Sequence, residues 1–296
     1  MNTQHTTHNR VTGIKLSVVL ATRNEEQNIG RCLESVKNIA DEIIIFDEYS
    51  TDKTREIAKS FGAKVYLEPH HEIFHVTKQK ALEKAKGEWI LQLDADEVVT
   101  PKLAEQILKV IHRSPLTVHS SLFDRHQNLI EKRDGPISKR TGEVVGYFLP
   151  RRNMFLGKPL IHGGVYPDGV IRLVKNGKAH FPQKSVHEQI ELDGEVGWLR
   201  GDLLHYDSPS FERYLARWNR YTDLIAQELK NSKTQKNLWS FLLFTVHRPL
   251  FTFLSLYIRH KGILDGINGF LWSLFSSLRF PIAYFKYITN KYDENL

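Results

Sequence analysis

The 296-residue chain is 41% hydrophobic and 25% charged, which excludes disordered, collagen-like and mucin-like architectures and leaves material for a sizeable core. Its net charge is +7, yet nine Lys/Arg stand against three Asp/Glu from Lys230 onward, so +6 of the +7 belongs to the tail. A single cysteine, Cys32, excludes an internal disulfide and thiolate metal clusters and points to a reducing compartment. The polar opening MNTQHTTHNR lacks the apolar run of a signal peptide, so the chain is expected to start and stay in the cytosol.

From Lys15 to Arg113 short apolar runs alternate with helical periodicity. LSVVLA (16–21), EIIIF (42–46), KVYL (64–67) and WILQL (89–93) predict buried parallel strands. Ile29, Leu33 and Val36 share one helix face after Asn24; Ser50 and Asp52 are candidate caps for a helix from Thr54 to Phe61; Ala81, Leu82 and Ala85 follow His75 on a third helix. Strand, helix, strand at this spacing predicts a parallel sheet with right-handed crossovers, and ligands of such sheets sit at the carboxyl ends of the strands. After Arg113 the chain turns polar and irregular until VVGYFL. VIRLV (170–174), SVHEQI (185–190) and GDLLHY (201–206) predict further strands or strand ends. Ser210 caps a long helix, 211–230, whose stripe of Phe211, Tyr214, Leu215, Trp218 and Tyr221 is expected to pack.

The chemistry is expected at LQLDADE. Asp94 and Asp96 follow the end of a strand, where carboxylates two apart can face one bound ion, and oxygen ligands suit Mg²⁺ or Mn²⁺ on a diphosphate. A helix cap ahead of Pro101 is the plainer explanation of the same residues. The company of two more polar strand exits, ATRNEE and DEYSTDKT, favours a nucleotide cleft.

Together LSVVLATRNEEQNIGRCLESV, EIIIFDEYSTDKTREIAKSFGAKV and KALEKAKGEWILQLDADE resemble the nucleotide-binding segments of inverting glycosyltransferases of family 2, which have the GT-A fold. The family's usual VDDGSTDGT differs here, with Glu48 and Tyr49 replacing the second Asp and the Gly. DADE, RLV…VHE, LLHY and RHKGILDGINGF make the chain most similar to lipopolysaccharide core glycosyltransferases of Gram-negative bacteria. The implied fold is α/β, a GT-A (Rossmann-like) mostly parallel sheet flanked by helices, with a C-terminal helical extension. The expected organisation is a tail over 1–14, the catalytic domain over 15–230 and the extension over 231–296.

The resemblance implies roles. Thr22, Asn24, Glu25 and Asp47 line the uracil end of a UDP-sugar donor, with Glu48 keeping the charge of the residue it replaces. Asp94 reaches the ribose or a water on the metal, Asp96 binds the Mn²⁺ or Mg²⁺ that bridges the phosphates, and His205 is a candidate second metal ligand, a hydrogen-bonded strand-end histidine being the alternative. Lys78 either touches the diphosphate or is a solvated helix lysine. The general base falls on Glu188, with Glu191, Asp193 and Glu195 close by in sequence, and His187 is structural or faces the acceptor. Arg151, Arg152 and Arg172 could hold the carboxylates and phosphates of a lipopolysaccharide acceptor, or be surface salt-bridge partners.

Thirteen Phe/Trp/Tyr lie between Trp239 and Tyr287, with Arg248, Arg259, Lys261, Arg279 and Lys286 among them. Both apolar runs there are interrupted by Arg and Pro, so neither is expected to span a bilayer, and amphipathic helices on the inner face of the cytoplasmic membrane fit the composition. A helical cap or a homo-oligomer interface through these helices would use the same residues. The expected partners are a nucleotide-sugar, a lipid-linked glycan acceptor and the membrane surface. Capsule or protein glycosylation by the same fold is the rival within the class, and a non-catalytic basic protein on membrane or nucleic acid the rival outside it; nucleic acid is disfavoured because the basic residues are interleaved with apolar helices.

Overall fold

A computed structural model describes residues 13–112, 126–129, 131–132, 142–182 and 189–289. The chain divides into two compact units, one holding the chain up to Pro150 with Gly169–Leu203, the other Arg151–Asp168 with the chain from Leu204.

In the first unit β1 (Leu16–Thr22), α1 (Ile29–Val36), β2 (Glu42–Asp47), α2 (Thr54–Ser60), β3 (Lys64–Leu67), α3 (His75–Lys84) and β4 (Trp89–Leu93) follow in strict alternation. Short β5 (Glu97–Val99) and α4 (Pro101–His112) come next, then β6 (Val144–Phe155), which continues into the second unit. The sheet order is β3-β2-β1-β4, all parallel. The strands alternate as a two-sided core requires: Leu16, Val18 and Leu20 face α1, α2 and α4, while Val19 joins Ala81 and Leu82 of α3 on the other side. The four strands and three helices expected from the sequence are all present.

The parallel order ends at β4. After β7 (Lys158–Pro159), the hairpin partner of β6, β8 (Asp168–Lys175) runs antiparallel to β4, with Leu91 opposite Leu173. β9 (Ala179–His180) pairs with β10 (Glu191–Leu192), and β11 (Glu195–Trp198) lies parallel to β6. Residues 183–188, with most of the strand expected over SVHEQI, lie outside the described residues.

The second unit takes β12 (Leu203–Ser208), then α5 (Phe211–Asn231), α6 (Leu238–Arg259), a 3₁₀ turn (Gly262–Asp265) and α7 (Gly266–Thr289). Ser210 caps α5 as expected, its Oγ accepting from Arg213 N. The aromatic stripe packs only in part. Tyr214, Leu215 and Trp218 meet Leu271, Trp272 and Phe275 of α7, whereas Phe211 and Tyr221 are 41% and 49% exposed. The glycines of RHKGILDGINGF allow a close chain approach: a Cβ on Gly269 would lie 1.9 Å from the Gly262 carbonyl oxygen.

His247, Arg248 and Pro249 do not break the first apolar run. α6 is continuous through them, 22 residues with a mean hydropathy of 1.4 over its most apolar window, the one helix among the described residues long and apolar enough by composition to cross a membrane. A π-helical turn, Leu243–His247, ends two residues before Pro249 and loosens the ladder where the proline has no N–H to give.

Candidate functional site

The exits of β1 and β2 are stitched to each other. Thr22 and Asp47 are opposite one another in register and fully buried, and Thr22 Oγ1 donates to Asp47 Oδ2 at 3.0 Å. Asp47 also accepts from Ser50 N and Oγ at 2.8 and 2.5 Å, with Arg55 Nε 3.6 Å away. Asn24, at φ 55°, donates its N–H to Ser50 Oγ and accepts from Thr51 N, both at 2.8 Å; Glu25 N donates to Thr54 Oγ1 at 2.7 Å and its carboxylate accepts from Asn28. Helix α2 is capped differently from expectation. Lys53 occupies the N-cap and Asp52 accepts from Thr54 N, while Ser50 serves the strand exits instead.

Tyr49 takes the place where the family pattern has glycine and keeps a glycine-like backbone, φ 50°, with its ring 57% exposed. Glu48 turns inward. It is 1% exposed and accepts from Thr77 Oγ1 at 2.5 Å, with His70 Nδ1 at 2.6 Å.

At the exit of β4, Asp94 is held from both sides. Lys78 Nζ lies 2.5 Å from Oδ1 and Arg172 Nη2 donates to Oδ2 at 2.5 Å. Arg172 also reaches Glu97 Oε1 at 2.8 Å and Gln92 Oε1 at 2.6 Å. Burial opposes the charged guanidinium, but Asp94 and Glu97 outweigh it and hold Arg172 firmly protonated. This corrects the expectation for Arg172: at 8% exposure and with its fork committed to three side chains, it organises the DxD strand and does not meet an acceptor. Lys78, 7% exposed, is not a solvated lysine either.

The two other exits adjoin this one. Cys32 Sγ contacts the Asp94 carbonyl oxygen at 3.6 Å, and burial, followed by the charges of Glu97, Asp96, Asp94 and Glu25, pushes its thiol well above the ordinary range. The polar ends of β1, β2 and β4 therefore form one carboxylate-rich rim, with Asp96 half-buried on the turn into β5.

In the second unit, His205 on β12 sits in a side-chain relay. Arg151 donates through Nε and Nη2 to Asp168 Oδ2 at 2.8 and 2.6 Å, Asn153 Nδ2 donates to the same oxygen at 3.2 Å, and Asn153 Oδ1 lies 2.6 Å from His205 Nδ1. The amide oxygen can only accept, so the hydrogen of this bond sits on His205 Nδ1. Burial alone would raise the Asp168 carboxyl, but the Arg151 charge and the hydrogen bonds from Arg151 and Asn153 hold it below the usual carboxylate range. Arg151 is thus a salt-bridge partner, and Arg152 lies over the Tyr166 ring at 5.4 Å.

Glu188 and His187 lie outside the described residues, so the expected base has no geometry here. Among the described residues no group of three or more His, Cys, Asp and Glu is arranged to hold a metal alone. In the first unit the half-buried Asp96 offers a carboxylate, the oxygen donor that suits a divalent ion sharing its shell with phosphate oxygens. The Arg172 network and the Asn153 relay escaped the sequence reading. The signal for the first was present, since Gln92 and Arg172 are polar residues inside apolar strands and must be paired when buried.

Residues 17–165 match the family model described as glycosyl transferase family 2. The chain is 28% identical, over 87% of its length and 86% of the relative's, to the lipopolysaccharide core biosynthesis glycosyltransferase LpsC of Rhizobium meliloti, and 27% identical, over 90% and 84%, to an uncharacterized glycosyltransferase of Rickettsia typhi. Among solved structures, S. aureus TarS matches 92% of this chain and 52% of its own at TM-score 0.41 and 17% identity. Glucosyl-3-phosphoglycerate synthase of Mycobacterium tuberculosis, in complex with Mg²⁺ and uridine diphosphate, matches 34% of this chain and 41% of its own at TM-score 0.30 and 24% identity. With its parallel β3-β2-β1-β4 order, its antiparallel β8 and its polar strand exits, the chain belongs to glycosyl transferase family 2 and is a glycosyltransferase of the GT-A fold.

Proposed function

We propose that this glycosyltransferase is metal-dependent and inverting, and that it moves a hexosyl group from a UDP-sugar to a lipid-linked glycan, the lipopolysaccharide core. The observation that carries the reading is the rim built by the exits of β1, β2 and β4, with Asp47 fixed at one side and Asp94 at the other. The acceptor class is supported by the name of the Rhizobium relative.

In this reading the acceptor hydroxyl oxygen attacks the anomeric carbon from the face opposite the diphosphate. The new C–O bond forms as the bond to the β-phosphate oxygen breaks, and the hydroxyl proton passes to a carboxylate, for which Glu188 is the candidate. Thr22, Asn24, Glu25 and Asp47 shape the uracil end, with Glu48 buttressing the same loop from within. Asp94 serves the ribose and Asp96 holds the ion. Bound Mn²⁺ or Mg²⁺ supplies positive charge to the leaving diphosphate. His205 is the candidate for a second ligand. Lys78, paired with Asp94 Oδ1, keeps two further N–H groups with which to meet the diphosphate. The extension from 231 onward keeps the enzyme at the inner face of the cytoplasmic membrane, where a lipid-linked acceptor is concentrated.

Thermal unfolding of the full chain against UDP, GDP, CMP and ADP, each with Mn²⁺, Mg²⁺ or chelator, tests the donor. A native-state ligand at about 100 times its Kd adds about 2.7 kcal/mol. The expected result is stabilisation by UDP that needs the metal and disappears in Asp96→Ala; stabilisation by another nucleotide alone, or by none, overturns the donor assignment. Glu188→Gln is expected to keep UDP binding and lose transfer, and normal turnover by it places the base elsewhere.

A further inference from the structure

The most exposed apolar surface of the second unit lies on α6. Leu238, Leu242, Val246, Leu250, Leu254 and Ile258 recur every four residues and are 43–73% exposed. On a regular α-helix of about 100° per residue a four-residue repeat drifts by about 40° per step and would wind around the helix. Two π-helical stretches, Leu243–His247 and Ser255–Arg259, change that. Their wider turns advance each residue by a smaller angle, which slows the drift and keeps the repeat as a ridge. Trp239 and Phe251, 74% and 62% exposed, flank the ridge, and Ile263, Leu264 and Ile267 extend it past the helix end. The other side of α6 is engaged within the unit: Phe244 is buried and stacks on Tyr284 of α7 at 5.3 Å.

Charge says what covers the ridge. From Leu229 to Leu264 the sequence contains no Asp or Glu; Lys230, Lys233, Lys236, Arg259 and Lys261 lie toward the two ends of this stretch, and Arg248 sits over the Phe244 ring at 4.2 Å. An acid-free, lysine-rimmed apolar ridge complements an anionic bilayer; in a twofold pairing of this surface with a second copy the same cations would face each other. At 22 residues α6 is about 33 Å long, enough to span the hydrocarbon. Spanning, however, would set exposed His247 and Arg248 at the bilayer centre, where charge is least tolerated.

We propose that α6 and the following 3₁₀ turn lie in the plane of an anionic lipid surface, with the Leu238–Ile258 ridge in the headgroup–acyl boundary and the flanking Lys/Arg on lipid anionic groups. The inference deepens the membrane association proposed above and rests on no assignment of donor or acceptor.

The test is co-sedimentation of the full chain with phosphatidylcholine vesicles, with and without phosphatidylglycerol, combined with extraction of the membrane-bound protein by alkaline carbonate. Expected are binding that needs phosphatidylglycerol and weakens with salt, extraction by carbonate, and a loss of roughly tenfold or more in both Leu250→Glu/Leu254→Glu and Lys233→Glu/Lys236→Glu. All four sites are exposed, so thermal unfolding and its response to nucleotide serve as the folding control. No vesicle binding by the wild type, or unchanged binding by folded Leu250→Glu/Leu254→Glu, overturns the proposal. Resistance to carbonate overturns the in-plane geometry in favour of a span. A dimer in light scattering that Leu250→Glu/Leu254→Glu dissociates, with no phosphatidylglycerol dependence, assigns the ridge to a second copy instead. Since the nucleotide response is read separately, failure here and failure of the donor assignment are distinguishable.

Discussion

Arg172 on β8 donates to Asp94 Oδ2 at the exit of β4, 2.5 Å away, while Lys78 on α3 holds the other oxygen of the same carboxylate. The first aspartate of the DxD is therefore neutralised by two cations before any ligand arrives, and a carboxylate so paired is a poor site for a third positive charge. Among the two aspartates, the proposal therefore gives the ion to Asp96 and not to Asp94.

Arg172→Met should destabilise the protein by about 3–5 kcal/mol, because it leaves Glu97, which is fully buried, and Asp94 without their common partner. Arg172→Lys should recover only part, since one ammonium cannot satisfy Gln92, Asp94 and Glu97 together. Adding Glu97→Gln to Arg172→Met should restore stability relative to the single change by removing one unpaired charge. Urea unfolding measures all three, and a cost for Arg172→Met below about 1 kcal/mol would show that the network contributes little.

The relay behind His205 makes a second prediction. Asn153→Ala removes the acceptor that keeps hydrogen on Nδ1, so the ring is free to change tautomer and to rotate. If His205 is an ion ligand, Mn²⁺ affinity in the presence of UDP should fall about 10–100-fold, read by the electron paramagnetic resonance of free Mn²⁺ and without reference to turnover. Unchanged affinity in Asn153→Ala and in His205→Ala alike would remove His205 from the coordination shell.

Much of the first unit was legible because its signals are local. The apolar runs of β1, β2 and β4 and the faces of α1 and α3 each fit in a window of a few residues, and the polar exits follow them directly. The function of Arg172 was not legible, since it depends on β8 lying antiparallel beside β4, a pairing of residues about eighty apart that no local period encodes. The continuity of α6 was not legible for a related reason. Its Arg and Pro interrupt an apolar count, but the helix absorbs them with a π turn, which is a property of the backbone and not of composition.

Tyr49 offers a test of backbone strain. An L-residue in the left-handed region costs about 1–2 kcal/mol, and an exposed ring recovers little of that by packing. Tyr49→Gly should therefore raise stability by about 0.5–1 kcal/mol, the relief of strain being offset in part by the freer unfolded chain. Tyr49→Ala, which keeps the Cβ, should bring no such gain. If both substitutions destabilise equally, the ring and not the backbone governs this turn.

Asp168 gives a pH dependence whose sign is fixed. Its carboxyl titrates below the ordinary value because Arg151 and Asn153 stabilise the charged form against the cost of burial. A depressed native value means that the unfolded chain binds the proton first, so the contribution to stability is fully present above about pH 3.9 and is lost as pH falls through the lower native value. Asp168→Asn should thus lower stability at neutral pH and remove part of the decline in acid, bringing the variant and the wild type together at the lowest pH where both still fold. Urea titrations at stepped pH from 6 downward would measure this, and parallel curves for the two proteins would mean that the Arg151 pair adds nothing to folding.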